Sequence, residues 1–255
     1  MAGKTHEALV TDQFGPQAAA YVTSAAHASG ADLDQIEAVV RSRAPHRVLD
    51  LGCGGGHVSY RAAPHAGEVV AYDLSAQMLA AVRQTARERG LANIVTEAGA
   101  AESLPFPAAS FDLVLSRYSA HHWHDFRQGL REARRVLKPD GLAVFADVVA
   151  PEGPLLDTFL QAVEVLRDPS PVRDYSSAEW SKALEEAGFR PGDATLRRLP
   201  LEFAAWVQRM RTPDTHVAAI RSLQGCVAAE VTSHFDIRAD GSFSLDVMTI
   251  EATPV

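Results

Sequence analysis

The 255-residue chain has little cysteine: only Cys53 and Cys226, far apart. That excludes a disulfide framework and suits a reducing, cytoplasmic location. It has no apolar run of the about 18 residues that a membrane-crossing helix requires, so no membrane span is expected. Met1 to Val10 holds Lys4, His6 and Glu7 and has no apolar centre, so no signal peptide is expected either. Positive charge is also scarce. The 24 Lys and Arg against 32 Asp and Glu leave a net charge of −8, with no basic block to mark a nucleic-acid partner. Between Arg127 and Lys138 basic residues alternate with apolar ones at helical spacing, the pattern of a solvated helix face. No internal repeat or low-complexity linker occurs. With 47% hydrophobic residues, the chain can fill one domain, or one domain carrying an insertion.

What stands out is the stretch from Val48 to His57. A β-branched and leucine run reaches Asp50, and glycines follow at 52, 54 and 56. The residues behind them can form a helix. This is a strand, a tight loop and a helix N-terminus, where free N–H groups favour acceptor atoms or negative charge. The spacing limits the ligand. A dinucleotide loop needs Gly-x-Gly-x-x-Gly. Its third glycine would fall on His57 counting from Gly52, or on Ser59 counting from Gly54. A phosphate loop would end in Gly-Lys-Ser/Thr, which is absent.

The chain around this loop alternates strands with helices. Phe14 to Ser29 reads as a helix opened by Pro16, with Ala18, Tyr21, Val22 and Ala25 on one face. It is either a helix packed on the domain or a lid that brings Tyr21 or Phe14 to a ligand. A helix through Leu33, Ile36 and Val40 follows, with Asp32 as N-cap. Strands are expected at His46–Leu51, Glu68–Tyr72, Asn93–Thr96, Phe111–Leu115 and Leu142–Val149. The helices between them include Ser75–Arg89 and one capped by Asp125. Lys138 to Gly141 reads as a turn. Such alternation gives a parallel sheet covered on both faces. Beyond it, Ser176 and Glu179 form a capping box before Trp180 and Leu184. Thr195–Leu201 reads as a strand, and two helical stretches lie at Phe203–Arg211 and Pro213–His234. Phe235–Arg238 and Ser242–Ile250 then flank Asp240-Gly241 as an antiparallel hairpin that finishes the sheet.

Asp50-x-Gly52-x-Gly54-x-Gly56 is followed in order by Asp73 at the end of strand two, Ala101-Glu102-Ser103-Leu104-Pro105-Phe106, Phe111-Asp112-Leu113-Val114 and Arg135-Val136-Leu137-Lys138-Pro139-Asp140-Gly141. Together these resemble the type 11 group of class I S-adenosylmethionine (SAM)-dependent methyltransferases, which is similar to the ubiquinone and menaquinone-biosynthesis C-methyltransferases. The resemblance covers residues 46–150 well, extends more weakly through 188, and the tail is not diagnostic. It implies an α/β, Rossmann-like doubly wound, mostly parallel seven-stranded sheet with an antiparallel C-terminal strand. It also implies a helical N-terminal lid and a helical insertion before the last strand. The expected organisation is an N-terminal segment and lid over 1–30, then one domain over 31–255. Its core spans 46–150, with helical insertions at about 151–188 and 202–234.

The same resemblance places SAM, and its product S-adenosylhomocysteine, on Gly52, Gly54 and Gly56. Asp50 would fix that loop or the methionine ammonium. Asp73 would take the ribose diol, a role open to any carboxylate with two acceptor oxygens. The residues after Gly99, Ala101 among them, would meet adenine, and Ser116 and Tyr21 complete the expected cofactor contacts. Leu74 and Met78, which follow Asp73, either form an apolar wall for adenine or belong to the ordinary core. Where the family often has Gly-Asp-Ala-Glu, this chain has Gly99-Ala100-Ala101-Glu102, so the side-chain acceptor for the adenine amine is missing.

Strand four runs into Ser116-Arg117-Tyr118-Ser119-Ala120-His121-His122-Trp123-His124, at the mouth of the sheet, where a methyl acceptor would sit. His121 or His122 is a candidate general base, since histidine titrates near neutrality. The alternative is that one packs on the sheet and the other caps a helix. Arg117 either binds an acidic acceptor or pairs with a neighbouring Asp. No metal is expected, because no second ligand cluster has a recognisable spacing. By the resemblance, Arg173 to Ser176 faces the same pocket. The expected function is methyl transfer to a small-molecule acceptor by a monomer or homodimer, with no nucleic-acid partner. The alternatives are an RNA or protein methyltransferase, a SAM-binding protein without catalysis, and a nicotinamide oxidoreductase, which the glycine spacing disfavours.

Overall fold

The computed structural model describes residues 3–17 and 28–255. Tyr21, and most of the helix expected over Phe14 to Ser29, lie outside the described residues. The sheet core comprises β1 (Arg47–Leu51), β2 (Glu68–Asp73), β3 (Ile94–Ala98), β4 (Phe111–Arg117) and β5 (Leu137–Val148), all parallel. β8 (Phe243–Pro254) runs antiparallel beside β5. The order is β3-β2-β1-β4-β5-β8-β6, the mixed, mostly parallel sheet expected.

Among the described residues the sheet has eight strands rather than seven. The outer edge of β8 is shared by two short strands in succession. β6 (Phe189–Pro191) pairs with Ala252–Pro254, and β7 (Thr195–Leu201) pairs with Phe243–Thr249. The chain leaves the ladder between them at Gly192, so one sheet position is filled twice.

Alternation along each strand assigns its side chains to opposite faces. Val48, Val69, Leu113 and Val144 pack under α2 (Ala31–Arg43) and α3 (His57–Ala62). Leu49, Val70, Val114 and Phe145 pack under α5 (Phe126–Val136) and α7 (Ser177–Glu186). α4 (Ala76–Glu88), capped by Ser75, packs near β2 and β3. The capping predictions for Asp125 and for the Ser176–Glu179 box hold in bond-by-bond detail. A third apolar cluster joins α6 (Pro154–Arg167) to the C-terminal helices α8 (Phe203–Arg209), α9 (Asp214–Gln224) and α10 (Ala229–Phe235).

Four local expectations change. Residues 1–10 carry no secondary-structure signal in the sequence, yet helix α1 (His6–Phe14) begins among them, capped by Thr5. Asp32 is not a cap: Gly30 occupies that place, and the Asp32 carboxylate turns to Arg117 instead. Lys138 to Gly141 lies inside β5, where the register against β4 shifts, rather than in a separate turn. The predicted strand at Phe235–Arg238 is absent. Phe235 ends α10 with its ring buried 5.0 Å from that of Phe159, and Asp236 leaves the helix with φ of 49°. The Asp240-Gly241 turn therefore links a helix to β8.

Candidate active site

β1 delivers the glycine loop to the carboxyl edge of the sheet. Gly52 and Cys53 both donate N–H bonds to the Tyr72 carbonyl, at 2.8 and 3.0 Å, which pins the loop over the end of β2. Gly52, Gly54 and Gly56 have φ of 74°, 49° and 82°. Only glycine takes these values at little cost. A Cβ on Gly52 would collide with Ser119, and one on Gly56 would meet the Tyr60 ring at 2.8 Å. A Cβ on Gly54 would meet nothing within 4 Å, because it projects into open space.

Two carboxylates frame that space. Asp50 is 1% exposed, and its Oδ2 accepts from the Ser59 amide (2.9 Å) and hydroxyl (2.6 Å). Its Oδ1 is buried with no hydrogen-bond partner. Burial, only partly offset by Ser59, lifts its pKa to about 7. Asp73 closes the loop from the far side. It accepts from the Gly54 amide through Oδ2 and from the Ser75 amide through Oδ1, both at 2.8 Å. Burial raises its pKa against these bonds.

The space is a cavity of about 150 Å³, also lined by Leu74, Met78 and Ala101. α1 lies along it and contributes His6, Glu7, Val10 and Phe14. The helix is held by His6 Nε2, which donates to the Ser170 carbonyl at 2.8 Å, and by Gln13 Nε2, which donates to the Met210 carbonyl at 3.2 Å. A second chamber of about 200 Å³ lies beside the first. Phe14, Arg117, Tyr118 and His122 line both, and so form the wall between them.

A glycine-loop cavity at the carboxyl ends of parallel strands holds ligands in many open α/β sheets, so the geometry alone leaves the chemistry open. The family described as "Methyltransferase domain" matches residues 49–145. The uncharacterized protein YafE of Escherichia coli (strain K12) is 48% identical over 79% of this chain and 97% of its own length. The uncharacterized methyltransferase YcgJ of Bacillus subtilis (strain 168) is 38% identical over 78% of this chain and 79% of its own. The crystal structure of YcgJ matches 87% of this chain and 97% of that one, with a TM-score of 0.83 and 35% identity. The chain belongs to the class I SAM-dependent methyltransferases. A more distant member is the demethylmenaquinone methyltransferase of Chlorobaculum parvum, 30% identical over 58% of this chain and 67% of its own.

The methyltransferase distributes its predicted residues unevenly. Asp50, Gly52, Gly54, Asp73, Leu74, Met78 and Ala101 converge on the first cavity. Gly56 and Ser116 line neither cavity. Gly56 acts through the backbone turn into α3, while Ser116 is buried within β4 with its hydroxyl unpartnered. Arg117 takes the second of its two expected roles. Its Nε donates to Asp32 Oδ2 at 2.5 Å, and the two side chains are only 6% and 8% exposed. It is thus committed to anchoring α2.

The two histidines occupy opposite electrostatic states. Burial alone would lower the His121 pKa. The Asp147 carboxylate, 2.5 Å from Nδ1, together with the Asp174 and Glu164 charges, outweighs burial and raises it to about 9. This favours the imidazolium at neutral pH, the form with no lone pair to accept a proton. His122 is driven well below its ordinary value by burial and by the adjacent His121 charge. Its Nδ1 lies 3.3 Å from Ser170 Oγ, whose single proton goes to Asp168 Oδ1 at 2.7 Å. His122 Nδ1 must then be the donor, which leaves the lone pair on Nε2. Phe14 meets the His122 ring edge-on at 5.0 Å.

Asp147 escaped notice in the sequence, although it is the sole charged residue between Leu142 and Ala150. It accepts from the Ala120 and Val148 amides besides His121, so it fixes the whole loop after β4. Among the described residues no group of three or more His, Cys, Asp or Glu is placed to hold a metal ion. No helix among them is long and apolar enough to cross a membrane.

Proposed function

We propose that this methyltransferase transfers the methyl group of SAM to a small molecule held in the second chamber, with SAM held on the glycine loop. The observation that carries this is the shared wall: two cavities meet at Phe14, Arg117, Tyr118 and His122. The residues present fit the cofactor. The open space beside Gly54 admits the methionine chain, and the orphaned Oδ1 of Asp50 is an acceptor for its ammonium group. Asp73 keeps acceptor capacity for the ribose diol, and Leu74, Met78 and Ala101 offer an apolar surface to adenine. Gly56 acts through the turn into α3 rather than by contact.

Bound SAM, held by Asp50, Gly52, Gly54 and Asp73, would supply an activated methyl group on a positively charged sulfur. The protein's part is to align the two reactants and exclude water, which can supply about 7–11 kcal/mol. Arg117 and Tyr118 hold the wall in place. Tyr118 does so from a left-handed backbone, φ 51°, with the Arg117 guanidinium 4.7 Å from its ring centroid. His122, too weakly basic to be an efficient base at neutrality, shapes the opening. α1 serves as a lid.

A small acceptor is supported by the size of the second chamber, about 200 Å³, and by the apolar residues in its lining, among them Trp206 and Met210, in and just after α8, and Leu199 and Leu201 of β7. Radiolabelled SAM incubated with the enzyme and cell extract, then fractionated by size, tests this. The label is expected in the small-molecule fraction; label confined to RNA or protein would overturn the proposal.

A further inference from the structure

The second chamber contains several ionic groups, and nearly all are satisfied internally. Arg117 is paired with Asp32, and His121 with Asp147. Glu164 faces Arg167 at 3.4 Å, and Arg167 also lies over the Trp206 ring at 4.9 Å. Asp168 accepts from both the amide and the hydroxyl of Ser170. Asp174 is the exception. It is 2% exposed, it lines the chamber, and its Oδ2 is buried with no hydrogen-bond partner. Its position is not accidental slack. The Asp174 amide donates to Gln161 Oε1 at 3.2 Å, and its carbonyl accepts from Gln161 Nε2 at 2.8 Å, so α6 clamps the backbone on both sides.

Buried polar atoms are almost always paired, so an orphan on a residue that lines a cavity marks a place for a ligand atom to complete the site. The lining combines the charged groups near it, His121, Glu164 and Arg167, with apolar residues that include Pro171, Leu199, Leu201, Trp206, Met210 and Leu245. We propose that the second chamber selects a small, mainly apolar methyl acceptor bearing a hydroxyl or amine that donates a hydrogen bond to the Asp174 carboxyl. This rests on the placing of the acceptor in that chamber. Burial, partly opposed by the His121 charge, raises the Asp174 pKa to about 8. A carboxyl keeps one acceptor oxygen in either protonation state, so the donor is bound in both. A site built around such a bond strongly rejects an analogue without the donor, because the protein group is then left unpaired.

The test uses three probes of one shape: benzyl alcohol, benzylamine and ethylbenzene. Each is titrated by NMR into the full chain saturated with S-adenosylhomocysteine. The wild type is expected to bind the alcohol or the amine at least tenfold more tightly than ethylbenzene, with the Trp206 indole signal shifting. The alcohol and amine arms show which donor is preferred. Asp174→Leu should abolish the preference, while Asp174→Asn, which keeps an acceptor oxygen, should retain it for the alcohol. S-adenosylhomocysteine affinity reports folding of each variant. If Asp174→Leu fails to fold, the wild-type preference and the Asp174→Asn result decide. Equal binding of all three probes by the wild type, no binding, a preference that survives in Asp174→Leu, or shifts confined to the Gly54 amide would overturn the proposal. Because the readout is binding without turnover, it fails separately from the size-fractionation experiment.

Discussion

His121 Nδ1 lies 2.5 Å from Asp147 Oδ1, and this contact bears on the charge of both adjacent histidines. It favours the proton on His121, and burial, reinforced by that charge, keeps His122 neutral. Asp147→Asn should therefore lower the His121 pKa and raise that of His122. NMR titration of the two imidazoles checks both shifts. Breaking a buried ion pair from one side also costs about 3–5 kcal/mol of stability, measurable by denaturant unfolding.

The pH dependence of stability has a definite sign. The His121 pKa is raised from 6.5 to about 9, so its contribution is complete below pH 6.5 and is lost as pH rises through about 9. Asp174, raised from 3.8 to about 8, likewise disfavours the folded state as pH rises across that interval. His122 is depressed and acts oppositely, losing stability as pH falls below 6.5. Unfolding free energy should thus decline from pH 6.5 to 9. His121→Gln should flatten that decline by up to one proton's worth, about 1.4 kcal/mol per pH unit. An unchanged slope in the variant would contradict the assignment.

Replacing His122 separates shape from base catalysis. His122→Gln should raise the acceptor KM and leave kcat within a few-fold, the signature of lost ground-state positioning. A fall in kcat of about 10²–10⁴-fold with unchanged KM would instead identify it as the base.

The cofactor loop gives the next expectation. Asp73→Ala should weaken SAM binding by about 1.5–3 kcal/mol, the range for a hydrogen bond to a charged group. Gly54→Val should weaken it more. A valine is strained at φ 49°, and its side chain would enter the open space into which Gly54 faces. Calorimetry on folded variants measures both.

The legible parts of this molecule are those where local pattern and tertiary role coincide. The alternation through Val48, Leu49 and Leu51, the glycine spacing and the Asp125 and Ser176 caps could be read because each is a short-range rule. α1 was not legible, since it buries none of its residues and carries no apolar stripe; His6 and Gln13 fix it through partners 164 and 197 positions away. Asp32 reads as a cap locally, but Arg117, 85 residues on, claims its carboxylate. The division of the sheet edge between β6 and β7 depends on how both meet β8, which no periodicity within either strand encodes. The second chamber is assembled from α6, β7 and α8, where the chain carries no motif. Asp147, which pairs with His121, has a visible signal, a lone charge in an apolar strand, whereas Asp174, in the chamber lining, is marked only by the resemblance that places Arg173 to Ser176 at the pocket.

The central claim is that methyl transfer crosses the wall between the two cavities into the second chamber. Leu199→Trp, which fills that chamber from β7 without touching the glycine loop, tests it most directly. Radiolabelled methyl transfer from SAM to the small-molecule fraction of cell extract should fall at least a hundredfold, with SAM affinity unchanged. Undiminished transfer by a folded Leu199→Trp variant with normal SAM affinity would contradict the account.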